Sequence, residues 1–266
     1  MMLTRWLFLL LLMANDRLVC ASSPAMIQQW EKGVEQLSAL PEAVERSLAV
    51  RPFAYPYSAL LNQLECREGH LLLFAYGSLV DYTSARRHLS HETLSSRRPA
   101  IGYGVRRLFD RDVAIHSSSH WGPPWDFRSR GMLNLVYTNC PEDRVTGLLI
   151  KVPFHELKSL SQREVGYDLA PIVVSEWKGK LEGAPKRLWG AWTFMAPQQS
   201  LYTNSTIHPR PGYYELTRDA FKPYGELFFQ LWFLTTYCAD GHQPIWSWEQ
   251  ALQRGEPTTQ RMTPDR

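Results

Sequence analysis

The run Leu71-Leu72-Leu73-Phe74-Ala75 stops abruptly at Tyr76-Gly77-Ser78-Leu79, and this junction constrains the fold more than any other stretch of the chain. Five consecutive apolar residues are too few for an ordinary helix, and Gly77 beside Ser78 is turn punctuation. The run therefore predicts a buried strand that delivers a loop. Glycine lets consecutive backbone N–H groups converge, and such a concavity holds a carboxylate or phosphate without a cationic side chain. An ordinary tight turn accounts for the same residues, so chemistry at this loop needs a second motif to support it.

Further strands are predicted at Pro99 to Phe109, Met132 to Tyr137, Val145 to Val152, Leu169 to Trp177 and Lys186 to Met195, from short runs rich in apolar and β-branched residues. Tyr82 to Leu89 and Phe154 to Leu160 read as short helices, and Tyr214 to Tyr237 as one long aromatic-rich helix that ends the domain.

At the N-terminus, residues 1–21 carry Arg5, an apolar run from Trp6 to Ala14, and Val19-Cys20-Ala21, the small-residue pattern of a signal-peptidase site. The run is far shorter than the roughly 20 residues a membrane-spanning helix needs. The expectation is a cleaved secretory signal, hence a secreted or periplasmic protein with no stable membrane span; a cytoplasmic or plastid location is the alternative. Residues 22–68 read as a helical extension: Ser23-Pro24 has the form of a helix start, and Ile27, Trp30, Val34 and Leu37 recur at helical spacing. Residues 69–240 are assigned to one domain, and 241–266 to a C-terminal tail, disordered from about residue 253.

A formal net charge of +3, from 29 basic and 26 acidic residues, is too balanced for a nucleic-acid partner, which needs a concentrated basic face. Cys20, Cys66, Cys140 and Cys238 lack C-x-x-C or any other metal-ligand spacing, so no zinc site is expected; one disulfide or none is compatible with them.

The second motif is Ser161-Gln162-Arg163-Glu164-Val165-Gly166-Tyr167-Asp168, which follows the strand Val145-Thr146-Gly147 and a short helix. Taken together, Tyr76-Gly77-Ser78-Leu79, Val145-Thr146-Gly147 and Glu164 resemble, in order and spacing, the gamma-glutamylcyclotransferase superfamily over about residues 70 to 240. The Glu-Val-Gly-Tyr segment is more similar to its glutathione-specific (ChaC-type) and plant or cyanobacterial-like branches. Phe74-Ala75-Tyr76 stands where the ChaC-type enzymes have a glycine-aromatic-glycine lead, which leaves the substrate open.

The resemblance implies an α+β fold with a small, mostly antiparallel, closed or barrel-like sheet and surrounding helices. It also implies a catalytic Glu164, a substrate-binding loop of Tyr76, Gly77, Ser78 and Leu79, and release of 5-oxoproline from a small gamma-glutamyl substrate without cofactor or metal. Tyr167 either lines the same pocket or is a core aromatic. Tyr213 and Tyr214 stand where the family has a late segment that closes the pocket. Read alone, Glu164 is a surface carboxylate paired with Arg163 or Lys158. A non-enzymatic module that holds an acidic small molecule or peptide end in the same cavity is the alternative from another class.

Other motifs are weaker. Ser78 lacks the second glycine of a Gly-x-Ser-x-Gly elbow. His116 and His120 lack a third metal ligand. Gly102-Tyr103-Gly104 has Arg107 where a dinucleotide fingerprint needs its third glycine.

Overall fold

The apolar run forms an inner strand, β2 (His70–Ala75), in which Leu71, Leu73, Phe74 and Ala75 are buried. The computed structural model describes residues 69–112, 128–180, 187–197 and 201–254, with the backbone of a two-residue strand β1 (Tyr55–Pro56). On one side β2 pairs antiparallel with β6 (Arg144–Pro153), and on the other parallel with β8 (Trp189–Met195). From β6 the ladder continues antiparallel to β3 (Arg98–Tyr103), to β7 (Asp168–Glu176) and back to β8, so the sheet closes on itself, with β1 added along β7. Closure removes the open edges of the sheet and leaves β6 and β7 with near-continuous apolar runs. This is the α+β, mostly antiparallel closed sheet that the resemblance implies, with one parallel contact at Leu73 and Trp192.

A second sheet leans on the first. Its centre is the antiparallel pair β4 (Val105–Asp112) and β5 (Ser129–Tyr137); β9 (His208–Pro209) and β10 (Thr236–Tyr237) flank it in parallel. The sequence reading of Pro99 to Phe109 as one strand is corrected here. Gly104 has φ +71°, a conformation glycine adopts freely, and the chain turns there from the closed sheet into the second one. Asp143 and the Thr138–Asn139 turn bond to the Gly104 backbone, so the chain leaves and re-enters the closed sheet at one corner.

Arg107 of β4 ties the two sheets together. Fully buried, it donates to the Thr146 carbonyl and hydroxyl on β6 and to the Thr236 hydroxyl on β10, and it stacks on Phe221 and Trp232. Burial pulls its pKa down to about 9, against the opposing influence of Tyr76 and Tyr213.

The helices differ from the sequence reading in three places. The expected helix from Tyr82 to Leu89 stops at Ala85, giving α1 (Tyr82–Ala85), and a separate α2 (His91–Ser95) follows. Each has its own cap: the Asp81 carboxylate accepts from Ser84 N, and the Ser90 hydroxyl from Thr93 N. The helix α3 (Phe154–Arg163) covers the predicted Phe154 to Leu160 and adds one turn, burying Leu157 and Leu160.

The long helix expected from Tyr214 to Tyr237 is two helices, α4 (Pro211–Asp219) and α5 (Glu226–Leu234), joined by a 3-10 turn at Lys222–Tyr224. Pro223 removes a backbone donor, and Gly225 at φ +98° is incompatible with a continuing helix; the chain then enters β10.

The third correction is at the C-terminus. Residues 241–254 are part of the domain, because α6 (Ile245–Gln253) buries Ile245 and Trp248 fully. Trp248 meets Tyr214 edge-on at 5.3 Å, and Tyr214, Trp232 and Phe221 continue the aromatic layer at centroid distances of 6.0 and 6.1 Å. Three tryptophan side chains, Trp192, Trp232 and Trp248, are among the largest fully buried groups, which makes packing the role of these residues.

The signal segment, the helical extension, the His116/His120 pair and the tail beyond residue 254 lie outside the described residues, apart from the backbone of Tyr55–Pro56. Cys140 is exposed and Cys238 buried, and both are free thiols. Among the described residues no helix is long and apolar enough to cross a membrane, and no group of His, Cys, Asp and Glu is arranged to hold a metal ion.

Candidate active site

Where β2 ends, the chain turns. Val80 N donates to Gly77 O at 2.9 Å, closing a tight turn over Ser78 and Leu79, and no acceptor among the described residues takes the N–H groups of Gly77, Ser78 or Leu79. Gly77 lets the turn lie close to Tyr213: a Cβ on it would sit 2.9 Å from the Tyr213 hydroxyl, which would have to shift. Gly147, across from the end of β2, is more confined, since a Cβ there would lie 2.4 Å from the Phe74 ring and 2.5 Å from the Ala75 carbonyl. The Val145-Thr146-Gly147 motif thus acquires a local reason. Thr146 anchors Arg107, and Gly147 lets β6 approach the strand that delivers the loop.

Glu164 caps the C-terminal end of α3, donating its N–H to Leu160 O at 3.0 Å, and Gly166 at φ +78° then turns the chain into β7. A Cβ on Gly166 would meet Arg111 Nη2 at 2.3 Å. Arg111 itself is buried, donates to Val165 O, and is sandwiched against the rings of Tyr167 and Tyr202 at 5.0 and 4.5 Å, a cation–π arrangement that props this turn from the β4 side.

The two motifs meet at one cavity. Tyr76, Gly77, Ser78 and Leu79 line it together with Glu164 and Tyr167, and Leu133, Phe194 and Tyr213 complete the wall; the space is about 320 Å³, its solvent-open mouth included. Its hydroxyls are fixed: Tyr76 donates to Phe194 O at 2.7 Å, and Tyr167 to Leu133 O at 2.9 Å. Tyr167 packs against the core and also lines the cavity.

The Glu164 side chain is 13% exposed. Burial pushes its carboxyl above the usual range, opposed first by the adjacent Arg163 and then by Arg111. Oε1 accepts from Arg163 Nε at 3.0 Å, whereas Oε2 carries no hydrogen bond from the described residues. The bland reading of Glu164 as a carboxylate paired with Arg163 is thus part of the geometry, but the pair stands at a cavity rather than on an open surface. Burial also drives the Tyr76 and Tyr167 hydroxyls well above their usual pKa and Tyr213 up to about 12, so all three are neutral donors at physiological pH.

Ser78 is not set up as a nucleophile. Its Oγ accepts from Arg163 Nη2 at 2.6 Å and is hydrogen-bonded to the Tyr213 hydroxyl, and among the described residues no histidine lines the cavity. Sequence reasoning placed Tyr213 only loosely and missed Leu133 and Phe194, which come from β5 and β8. It also took Arg163 for a surface partner. The one available signal for Arg163 was its adjacency to Glu164.

These features define a class: an α+β domain whose closed sheet carries, at one end of a central strand, a small buried-carboxylate cavity floored by a glycine turn. Solved structures with a similar chain course include one named gamma-glutamyl cyclotransferase, 18% identical, covering 58% of this chain and 79% of its own, at a TM-score of 0.42. Another is YkqA from Bacillus subtilis, 17% identical over 60% of this chain and 52% of its own, at a TM-score of 0.44. A third is At3g28950.1 from Arabidopsis thaliana, 13% identical over 74% of this chain and 96% of its own, at a TM-score of 0.36. No protein-family model and no curated protein matches the chain.

Proposed function

We propose that this protein is a gamma-glutamylcyclotransferase, releasing 5-oxoproline from glutathione or from a gamma-glutamyl amine or amino acid. The observation that carries the reading is the meeting of Glu164 and the Tyr76–Leu79 turn at one small cavity. A gamma-glutamyl group contains its own nucleophile. Its α-amine attacks the γ-carbonyl, a C–N bond forms to close a five-membered ring, and the original amide C–N bond breaks to free the leaving amine. The chemistry needs no protein nucleophile, metal or cofactor.

The obstacle is protonic, because the α-amine is largely ammonium near neutral pH. Glu164 takes that proton through Oε2 and later gives it to the leaving amine, one carboxylate acting as base and then as acid, a contribution typically of about 10²–10⁴-fold. A carboxyl raised by burial suits both steps. The N–H groups of Gly77, Ser78 and Leu79 hold the substrate's α-carboxylate and so aim the amine. Tyr213, neutral and hydrogen-bonded with Ser78, is the nearest candidate to donate to the γ-carbonyl oxygen as charge develops on it.

Incubating the purified protein with glutathione, gamma-glutamyl-alanine and gamma-glutamyl-lysine, and measuring 5-oxoproline, tests the activity and chooses the substrate. In Glu164→Gln, which retains shape but cannot shuttle a proton, turnover falls at least about a hundredfold while substrate binding is kept. A folded Glu164→Gln protein with near wild-type turnover removes the mechanism. The Arg163–Glu164 pair favours a second reading, a binding module for an acidic small molecule or peptide end; silence on all three substrates with retained binding selects it. Residues 1–21 extend the proposal to export, which mature protein beginning near Ser22 would support.

A further inference from the structure

The cyclisation reading uses Glu164 and the glycine turn but leaves Arg163 unexplained. Arg163 sits in the last turn of α3, its side chain 13% exposed, and its guanidinium reaches three separate pieces of the chain. Nε donates to Glu164 Oε1 at 3.0 Å, Nη2 to Ser78 Oγ at 2.6 Å and to Ser84 Oγ at 2.9 Å, and Nη1 to the Ser84 carbonyl at 2.9 Å. An arginine has five N–H donors in a rigid planar fork, so engaging this many fixes the relative positions of the groups it touches. Those groups are the carboxylate, the loop hydroxyl, and the first turn after the loop.

We propose that Arg163 is a positioning residue for this reaction: its fork locks Glu164 and Ser78 in one frame and leaves Glu164 Oε2 as the proton-accepting oxygen. The proposal rests on the cyclisation reading above. Its logic is geometric. A glutamate with a free rotor can satisfy both oxygens elsewhere, whereas one whose Oε1 is held by a planar donor presents Oε2 in a fixed direction. By binding Ser78 Oγ with another arm, the same guanidinium couples that direction to the turn that would hold the α-carboxylate. The distance between base and substrate amine is then set by one rigid group, and misplacement of about 1 Å in such a frame can cost on the order of 10² in rate.

The charge has a second, separable consequence. The groups facing Glu164 are Arg163 on its own helix, Arg111 from β4, and the neutral hydroxyls of Tyr76, Tyr167 and Tyr213; Asp110 of β4 acts on two of those tyrosines. Of the two cations, Arg163 has the larger influence. Removing it leaves burial opposed by Arg111 alone, so the Glu164 pKa rises, and the acid limb of the kcat/KM profile moves to higher pH. Geometry and charge can therefore be told apart by two variants.

Arg163→Gln loses both, so kcat falls about tenfold to a hundredfold and the acid limb moves up. Arg163→Lys keeps a cation but not the fork, so the acid limb stays near its wild-type position while kcat remains depressed. Both proteins are checked by circular dichroism, and if Arg163→Gln does not fold, Arg163→Lys alone carries the test. A folded Arg163→Gln with an unmoved acid limb and kcat within twofold of wild type overturns the proposal, as does Arg163→Lys with full wild-type kcat. If the wild-type protein releases no 5-oxoproline at all, the cyclisation reading fails instead. The carbon-13 NMR signal of the Glu164 carboxyl, assigned with Glu164→Gln and read at a fixed pH where it is ionised, then judges the frame at constant charge: a changed chemical shift in Arg163→Lys supports it, and an unchanged one overturns it.

Discussion

Substituting Gly147 with alanine tests the packing argument that places the loop. The added methyl group would stand 2.4 Å from the Phe74 ring and 2.5 Å from the Ala75 carbonyl, both inside any real contact distance. The ring is buried and has no room to retreat, and the carbonyl belongs to backbone in register with β6, where Ala75 faces Leu148. Relief must come from separating β2 from β6. Inserting one carbon into a packed core costs about 1–3 kcal/mol, and a backbone clash puts this site at the upper end, about 3 kcal/mol. For a domain of this size each kcal/mol lowers Tm by about 2–4 °C, so thermal unfolding followed by circular dichroism should show a fall of about 6–12 °C. The strand that shifts also carries Tyr76, so any activity found for the wild type should drop further than stability alone requires. A Gly147→Ala protein melting within about 2 °C of wild type would refute the claim that this glycine exists to let the two strands approach.

Other substitutions read different parts of the same structure. Gly77→Ala meets only the end of the Tyr213 side chain, at 2.9 Å, so it should change Tm by less than about 3 °C yet weaken substrate binding, measured by calorimetry, because Tyr213 must leave its place in the wall. Asp110 gives a pH signature. Burial raises its carboxyl to about 6 in the folded protein against 3.8 ordinarily, so the folded state binds more protons between those values and stability falls as pH rises from about 4 to 6. The full loss is about 3 kcal/mol, from about two pH units at 1.36 kcal/mol each. Asp110→Asn should abolish that slope and raise stability at pH 7 in urea titrations; an unchanged slope would show that Asp110 is not the group responsible.

Much of this architecture was legible in the residues because it rests on local rules. The strand at Leu71–Ala75 and its glycine turn follow from an apolar run ending at turn punctuation, and β6 and β7 are read from continuous apolar character, since strands buried on both faces need no polar alternation. The turn at Gly104 and the break at Pro223 and Gly225 were also present in the sequence, but apolar residues on both sides masked them. Only the folded chain shows that Phe109 belongs to a different sheet from Ile101, and that α6 is core rather than tail.

The site divides in the same way. Tyr76, Gly77, Ser78, Leu79 and Glu164 were singled out by the family resemblance that their order and spacing carry, each motif lying on its own short segment, whereas either motif alone reads as an ordinary turn or a surface carboxylate. What joins them depends on distance in space. Arg163 reaches Ser78 across 85 positions of chain, and Leu133, Phe194 and Tyr213 enter from three different elements. Gly147 needs no side chain of its own, and its meaning appears only when Phe74 and Ala75 stand against it. A sequence fixes what each segment prefers to be, while the closing of the sheet decides which segments share a wall, because burial and crowding are properties of neighbours that the order of residues does not list.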